Sequence, residues 1–211
     1  MKGPQLVVFA SGTKDAGGSG FENLVKSPEL DAEIVAVVSN HEHGGVRARA
    51  LKLGVPFIFF PGPYTAEEYH RILQKALPTT GRIWVALSGW LKKAEGLDPA
   101  STFNIHPALL SFQNRRFGGA GLYGHHVHEA VIEHGCKVSG CTVHFLDNSY
   151  DTGPIVLQQT CPVLDDDTAD TLAARVFEQE KLAYPEAIRL FAQGRLKIEG
   201  RRVRVLGPEK R

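Results

Sequence analysis

Short runs of aliphatic residues recur along the chain, separated by stretches with helical spacing. Leu6–Ala10 is apolar at every position and closes on Ser11-Gly12, and Ile34–Val38 and Ile83–Leu87 repeat the theme. A run without alternation fits a strand buried on both faces of a parallel sheet, because a sheet with one face in water would alternate apolar and polar residues. Between the runs, Gly45–Leu53 puts Val46, Ala50 and Leu53 on one side, and a Thr65/Glu68 capping box precedes Tyr69, Ile72, Leu73 and Ala76 at helical spacing. Strands alternating with helices predict βαβ crossovers.

The second half carries a related pattern with longer connections. Ser101–Ile105 reads as a strand, 111–124 (SFQNRRFGGAGLYG) as a glycine-rich loop and Val127–His134 as a helix. Cys141–Phe145 and Ile155–Gln159 read as two strands joined by the turn-forming LDNSYDTGP. Thr171–Phe191 then lines Leu172, Val176, Glu180, Tyr184 and Leu190 or Phe191 along one face of a long amphipathic helix ending near Gly194. Leu196–Leu206 alternates around Glu199-Gly200, as a hairpin does. The expected fold is α/β: a single open, mostly parallel twisted sheet with helices on both faces, followed by a C-terminal long helix and hairpin. With no repeat, low-complexity tract or linker, the expectation is one domain over 1–211.

Composition narrows the function classes. Hydrophobic residues at 43% and charged residues at 22% describe a chain that folds throughout. Lys+Arg 24 against Asp+Glu 23 leaves +1, so no global field draws the protein to nucleic acid or to a membrane, and any anion site must be local. The apolar run near the N-terminus is too short for a signal or a span, and a cytoplasmic protein is expected. Cys136, Cys141 and Cys161 are odd in number and form no C-x-x-C, which predicts small core residues in a reducing compartment. The cluster His125, His126 and His128 has no acid or cysteine at a recognised metal spacing, so no metal is expected.

Two local features carry chemistry. After the first strand, SGTKDAGGSG places glycines at 12, 17, 18 and 20 before a helix starting at Phe21–Val25. Glycine lets backbone amides turn inward, and the helix start offers unpaired N–H groups and the positive end of its dipole, so this loop is expected to bind phosphate. The spacing matches neither the Walker A loop nor the dinucleotide fingerprint. On the later strand, Asn104 and His106 lie two positions apart and hence on one side, with Pro107 stopping the ladder. Taken alone, such a pair is more often a core histidine beside a turn residue. Glu180 interrupts the apolar stripe of the long helix, where a carboxylate needs a partner.

FNIHPALL at 103–110, the following glycine-rich loop and H-E-A-V, and VHFLDNSYDTGPIVLQ at 143–158 resemble the phosphoribosylglycinamide formyltransferase family of purine biosynthesis. The likeness extends through FEQEKLAYPEAI at 177–188 to GRLKIEG at 194–200. The resemblance implies a Rossmann-like formyltransferase fold, with a phosphate-binding half over about 1–100 and a folate-binding and catalytic half over about 101–211. It implies transfer of a formyl group from 10-formyltetrahydrofolate, a co-substrate rather than a tightly bound cofactor, to glycinamide ribonucleotide, in a monomer or homodimer. It makes Asn104, His106 and Asp151 the catalytic residues: Asn104 and a protonated His106 donating to the developing oxyanion, and an ionised Asp151 favouring the imidazolium and positioning a relaying water. Gly18, Ser19 and Gly20 match the family's phosphate positions, where G-S-N is usual, and Glu180 matches the glutamate that binds ribose hydroxyls. Leu91, Lys92, Lys93 and Ala94 fall on the folate-contacting segment, with Lys92 where arginine is usual, and Asn104 and Asp147 complete that pocket. The alternatives are a sugar-nucleotide amine formyltransferase, a 10-formyltetrahydrofolate hydrolase, and a binding module that has lost activity.

Overall fold

The computed structural model describes residues 4–13, 16–77, 83–110, 117–119, 124–147 and 149–207. The chain divides into two compact units, Met1–Phe103 and Asn104–Arg211.

The first unit runs β1 (Gln5–Phe9), α1 (Ser19–Lys26), β2 (Glu33–Ser39), α2 (Gly45–Leu53), β3 (Phe57–Phe59), α3 (Ala66–Ala76) and β4 (Ile83–Leu87). Its strands lie in the order β3-β2-β1-β4 and every pairing is parallel, as the crossovers require. Leu6, Val7, Val8 and Phe9 are all fully buried, which is why β1 shows no alternation. Strand β3 has three residues, too few to display a period in the sequence. Only half of the predicted capping box forms on α3. Thr65 accepts from the Glu68 N–H at 3.4 Å, but the Glu68 carboxylate turns to Arg71 at 2.6 Å.

The second unit starts inside β5 (Thr102–His106) and continues with α4 (His125–Glu133), β6 (Val138–Phe145), β7 (Ile155–Pro162), α5 (Ala169–Ala192), β8 (Leu196–Glu199) and β9 (Arg202–Val205). Here the order is β5-β6-β7-β9-β8. The β6–β7 and β8–β9 pairs are antiparallel, whereas β7 meets β9 in parallel at Ile155 and Arg202. Helix α5 packs on β6, β7 and α4, burying Leu172, Val176, Ala183, Tyr184, Ala187 and Ile188. A reciprocal capping box, absent from α3, closes its start between Thr168 and Thr171. Among the described residues, no helix is long and apolar enough to cross a membrane.

Candidate functional site

Strand β5 ends on His106, and the turn between β6 and β7 returns Asp151 to it. The Asn104 amide nitrogen donates to Asp151 Oδ1 at 3.3 Å, and His106 Nδ1 lies 3.6 Å from Asp151 Oδ2. The three residues expected from the sequence therefore meet. Asp151 has φ +52°, a left-handed conformation that favours glycine and that Asp tolerates better than most residues.

Three further groups complete the cluster. The Gly119 N–H donates to Asp151 Oδ2 at 2.9 Å. His144 donates from Nδ1 to the Phe145 carbonyl at 2.8 Å, and its Nε2 lies 3.1 Å from the Asn104 amide nitrogen and 3.6 Å from Asp151 Oδ1. The Phe117 carbonyl accepts from His106 Nε2 at 2.5 Å. The Asp151 carboxylate, which can only accept, fixes which way the Asn104 amide points.

This geometry bears on two expected roles. The Asn104 amide nitrogen already contacts His144 Nε2 and Asp151 Oδ1, so donation to an oxyanion requires one of these contacts to be exchanged. His106 is 4% exposed, and burial pulls its pKa below the ordinary 6.5 against the opposing pull of the Asp151 carboxylate and the Phe117 carbonyl. For Asp151, burial pushes the pKa up, but His144, His106 and the Gly119 N–H together hold it down at about 2. The carboxylate is ionised at any working pH.

Glu180 lies on α5, half-buried, and among the described residues its carboxylate has no ion-pair or hydrogen-bond partner. No lysine or arginine pairs with it among the described residues, and the following Lys181 pairs with Glu178. Burial alone raises the Glu180 pKa to about 7. Cys141 is nearby, its thiol pushed up to about 12 by burial and then by the Glu180 charge. The turn-forming Asp147 does not present Oδ1 to a ligand, because that atom accepts from the Ser149 N–H at 3.0 Å and from the Thr152 hydroxyl.

In the first unit, the glycine loop is tightly folded. Thr13 N donates to the Ala16 carbonyl at 2.8 Å and Ala16 N donates to Thr13 Oγ1 at 2.9 Å. A Cβ at Gly17 would overlap Gly12 Cα, so the two glycines form the neck of a closed excursion. Gly18, at φ +84°, is the N-cap of α1 and makes no side-chain cap bond, so the first-turn N–H groups have no intrahelical partner. Glu22 would oppose an anion there, but Lys26 at 2.5 Å and Arg49 at 2.7 Å neutralise it. Arg49 also donates to the Gly17 carbonyl at 2.7 Å, bracing the neck. The glycine at position 20 has a physical reason: a Cβ there would overlap the Ser88 hydroxyl.

Beyond β4, the Leu91 N–H donates to Ser11 Oγ at 2.9 Å and Tyr69 donates to the Lys93 carbonyl at 2.9 Å. These two bonds fix the backbone of 91–94. Leu91 is 48% exposed, Lys92 lies over the Tyr64 ring at 5.4 Å, and Lys93 pairs with Glu95 at 2.5 Å. Trp90 is a core residue, donating to Tyr69 at 2.7 Å. On α4, His125 and His126 contact Glu129 at 3.4 and 3.0 Å, while His128 is buried, its pKa lowered to about 4 chiefly by burial. Among the described residues, no group of three or more His, Cys, Asp or Glu side chains could hold a metal ion. Ser111, Arg115 and Arg116 of the glycine-rich loop lie outside the described residues.

An ionised carboxylate, an imidazole and an amide gathered at the end of a strand, in an α/β framework, define an acid–base enzyme site. The chain belongs to the formyl transferase family, whose model matches residues 4–188. It is 38% identical to the chloroplastic phosphoribosylglycinamide formyltransferase of Vigna unguiculata, over 91% of this chain and 62% of that protein. The corresponding Arabidopsis thaliana protein is 34% identical, over 92% of this chain and 67% of its own length. The chain thus spans under two thirds of the first of these relatives and about two thirds of the second. The crystal structure of glycinamide ribonucleotide transformylase 1 from Symbiobacterium toebii superposes with a TM-score of 0.81 at 33% identity, covering 98% of this chain and 95% of that one.

Proposed function

We propose that the protein transfers the formyl group of 10-formyltetrahydrofolate to the amine of glycinamide ribonucleotide, yielding N-formylglycinamide ribonucleotide and tetrahydrofolate in de novo purine synthesis. The observation that carries the reading is the Asp151 carboxylate, held ionised and within reach of both Asn104 and His106. Attack of the neutral amine makes a tetrahedral carbon bearing an oxyanion. The attacking nitrogen must then lose a proton and the folate nitrogen must gain one before the bond to it breaks.

Asp151 is too acidic to store that proton. It acts by charge: its field favours a proton on His106 once a developing oxyanion stands beside the ring and offsets the cost of burying an imidazolium. A water held by the carboxylate relays the proton between the two nitrogens. Asn104 gives the oxyanion one N–H by releasing His144 or Asp151. Elsewhere, the first-turn N–H groups at Ser19 and Gly20, with the Gly18 cap, suit the phosphate, and an ionised Glu180 suits the ribose hydroxyls. Leu91–Ala94 and the turn from Asp147 are the pterin side. The three free thiols support a cytoplasmic setting.

The test is to incubate the purified protein with 10-formyltetrahydrofolate and glycinamide ribonucleotide, an amino-sugar nucleotide, or water alone. Tetrahydrofolate release with a formyl mass gained by the ribonucleotide supports the proposal. Release without an acceptor identifies a hydrolase, and formylation of the amino sugar identifies the other transferase.

A further inference from the structure

The turn that carries Asp151 is anchored on several sides. Within it, the Asp147 carboxylate ties the Ser149 N–H to the Thr152 hydroxyl. Below it, Gly153 lies flush against the end of β6, where a Cβ would overlap the Phe145 carbonyl, and the Phe145 N–H donates to the Pro154 carbonyl at 2.9 Å. The remaining anchor comes from 49 residues away: Arg201 Nη2 donates to the Thr152 carbonyl at 2.8 Å.

The terminal hairpin delivers that arginine by register. Ile155, the first residue of β7, opposes Arg202, the first residue of β9, so the tip of the hairpin stands beside the turn. Gly200, at φ +61°, makes the reversal. Of the other hairpin cations, Lys197 and Arg204 both pair with Glu199, at 3.0 and 2.8 Å. Arg201 has no carboxylate partner among the described residues, and its guanidinium is directed to a backbone carbonyl one residue beyond Asp151.

We propose that Arg201 is a positioning residue, holding the 147–153 turn so that the Asp151 carboxylate stays in register with the Gly119 N–H and His106; this rests on the reading of Asp151 as the carboxylate of the formyl transfer. The left-handed φ of Asp151 gives the brace something to resist, because a non-glycine residue relaxes from that conformation when its surroundings loosen. Placement errors of about an ångström cost up to roughly a hundredfold in rate, without touching how substrates bind.

The experiment compares the full chain with Arg201→Ala, Arg201→Lys and Asp151→Asn, measuring kcat, both KM values and thermal stability. Arg201→Ala is expected to lower kcat about tenfold, with both KM values within about twofold and an unchanged melting temperature. Arg201→Lys, which keeps a donor, is expected to recover most of the loss. If Arg201→Ala turns over normally while Asp151→Asn is inactive, the brace is rejected and the site reading stands. A fall in kcat matched by a lowered melting temperature or a raised KM makes Arg201 merely structural, and failure of lysine to restore kcat rejects the donor role. Normal turnover in Asp151→Asn removes the reading on which the proposal rests.

Discussion

Replacing Glu180 with glutamine gives the sharpest test of the buried carboxylate. In the folded protein its pKa stands at about 7 against an ordinary 4.5, with burial as the cause. The folded-state value is raised, so the contribution to stability is full below the unfolded value and is lost as pH rises through the folded one. The interval is about 2.5 pH units at ~1.4 kcal/mol each, roughly 3 kcal/mol as a ceiling. Glutamine keeps the shape and removes the charge, so the variant should gain up to ~3 kcal/mol on wild type between pH 5 and pH 8.5. Urea unfolding at the two pH values measures it. A difference between the two proteins that is constant across that range, within ~0.5 kcal/mol, refutes the reasoning. The same carboxylate links stability to function: it accepts from ribose hydroxyls only when ionised. The acceptor KM should therefore fall as pH rises through about 7 in wild type and lose that dependence in the variant.

Other substitutions probe the remaining parts. Asp151→Asn should leave the fold intact and lower turnover about 10²- to 10⁴-fold, read as tetrahydrofolate release. Gly20→Asn requires the Ser88 hydroxyl to leave its position. Its acceptor KM should rise several-fold, and adding Ser88→Ala should restore it, with a coupling of ~1 kcal/mol in the double-mutant cycle. Gly153→Ala sets a methyl against the Phe145 carbonyl, where neither backbone can rotate away. It should cost ~2 kcal/mol or more in denaturant unfolding and reduce kcat as the turn shifts.

What could be read in advance followed from signals confined to one segment. Gly45–Leu53 and Ile83–Leu87 were predicted at the bounds observed, because glycine or a polar residue marks their ends and the apolar pattern is unbroken. Strand β3 has only Phe-Ile-Phe between two loops, and its strand character comes from pairing with Val37–Ser39, a property of the neighbour. The cap on α3 failed in half because Arg71, one turn on, is a stronger partner for Glu68 than a backbone N–H.

The site divides in the same way. Asn104, His106 and Asp151 were found because motif spacing preserves them as side-chain identities. The groups missed around them act through backbone or through a distant partner. The Phe117 carbonyl and the Gly119 N–H belong to atoms that every residue carries, so no residue type announces them. His144 alternates along β6 like any strand residue, and its use depends on an amide forty positions earlier in the chain. The burial that pulls down the His106 pKa was likewise out of reach, since it comes from the fold rather than from any neighbour in sequence.

At the neck of Gly12 and Gly17 the chain passes one point twice, so a side chain at Gly17 would force the two passes apart and carry the Gly18 cap of α1 with them; the aim of that helix start is set by a missing methyl group.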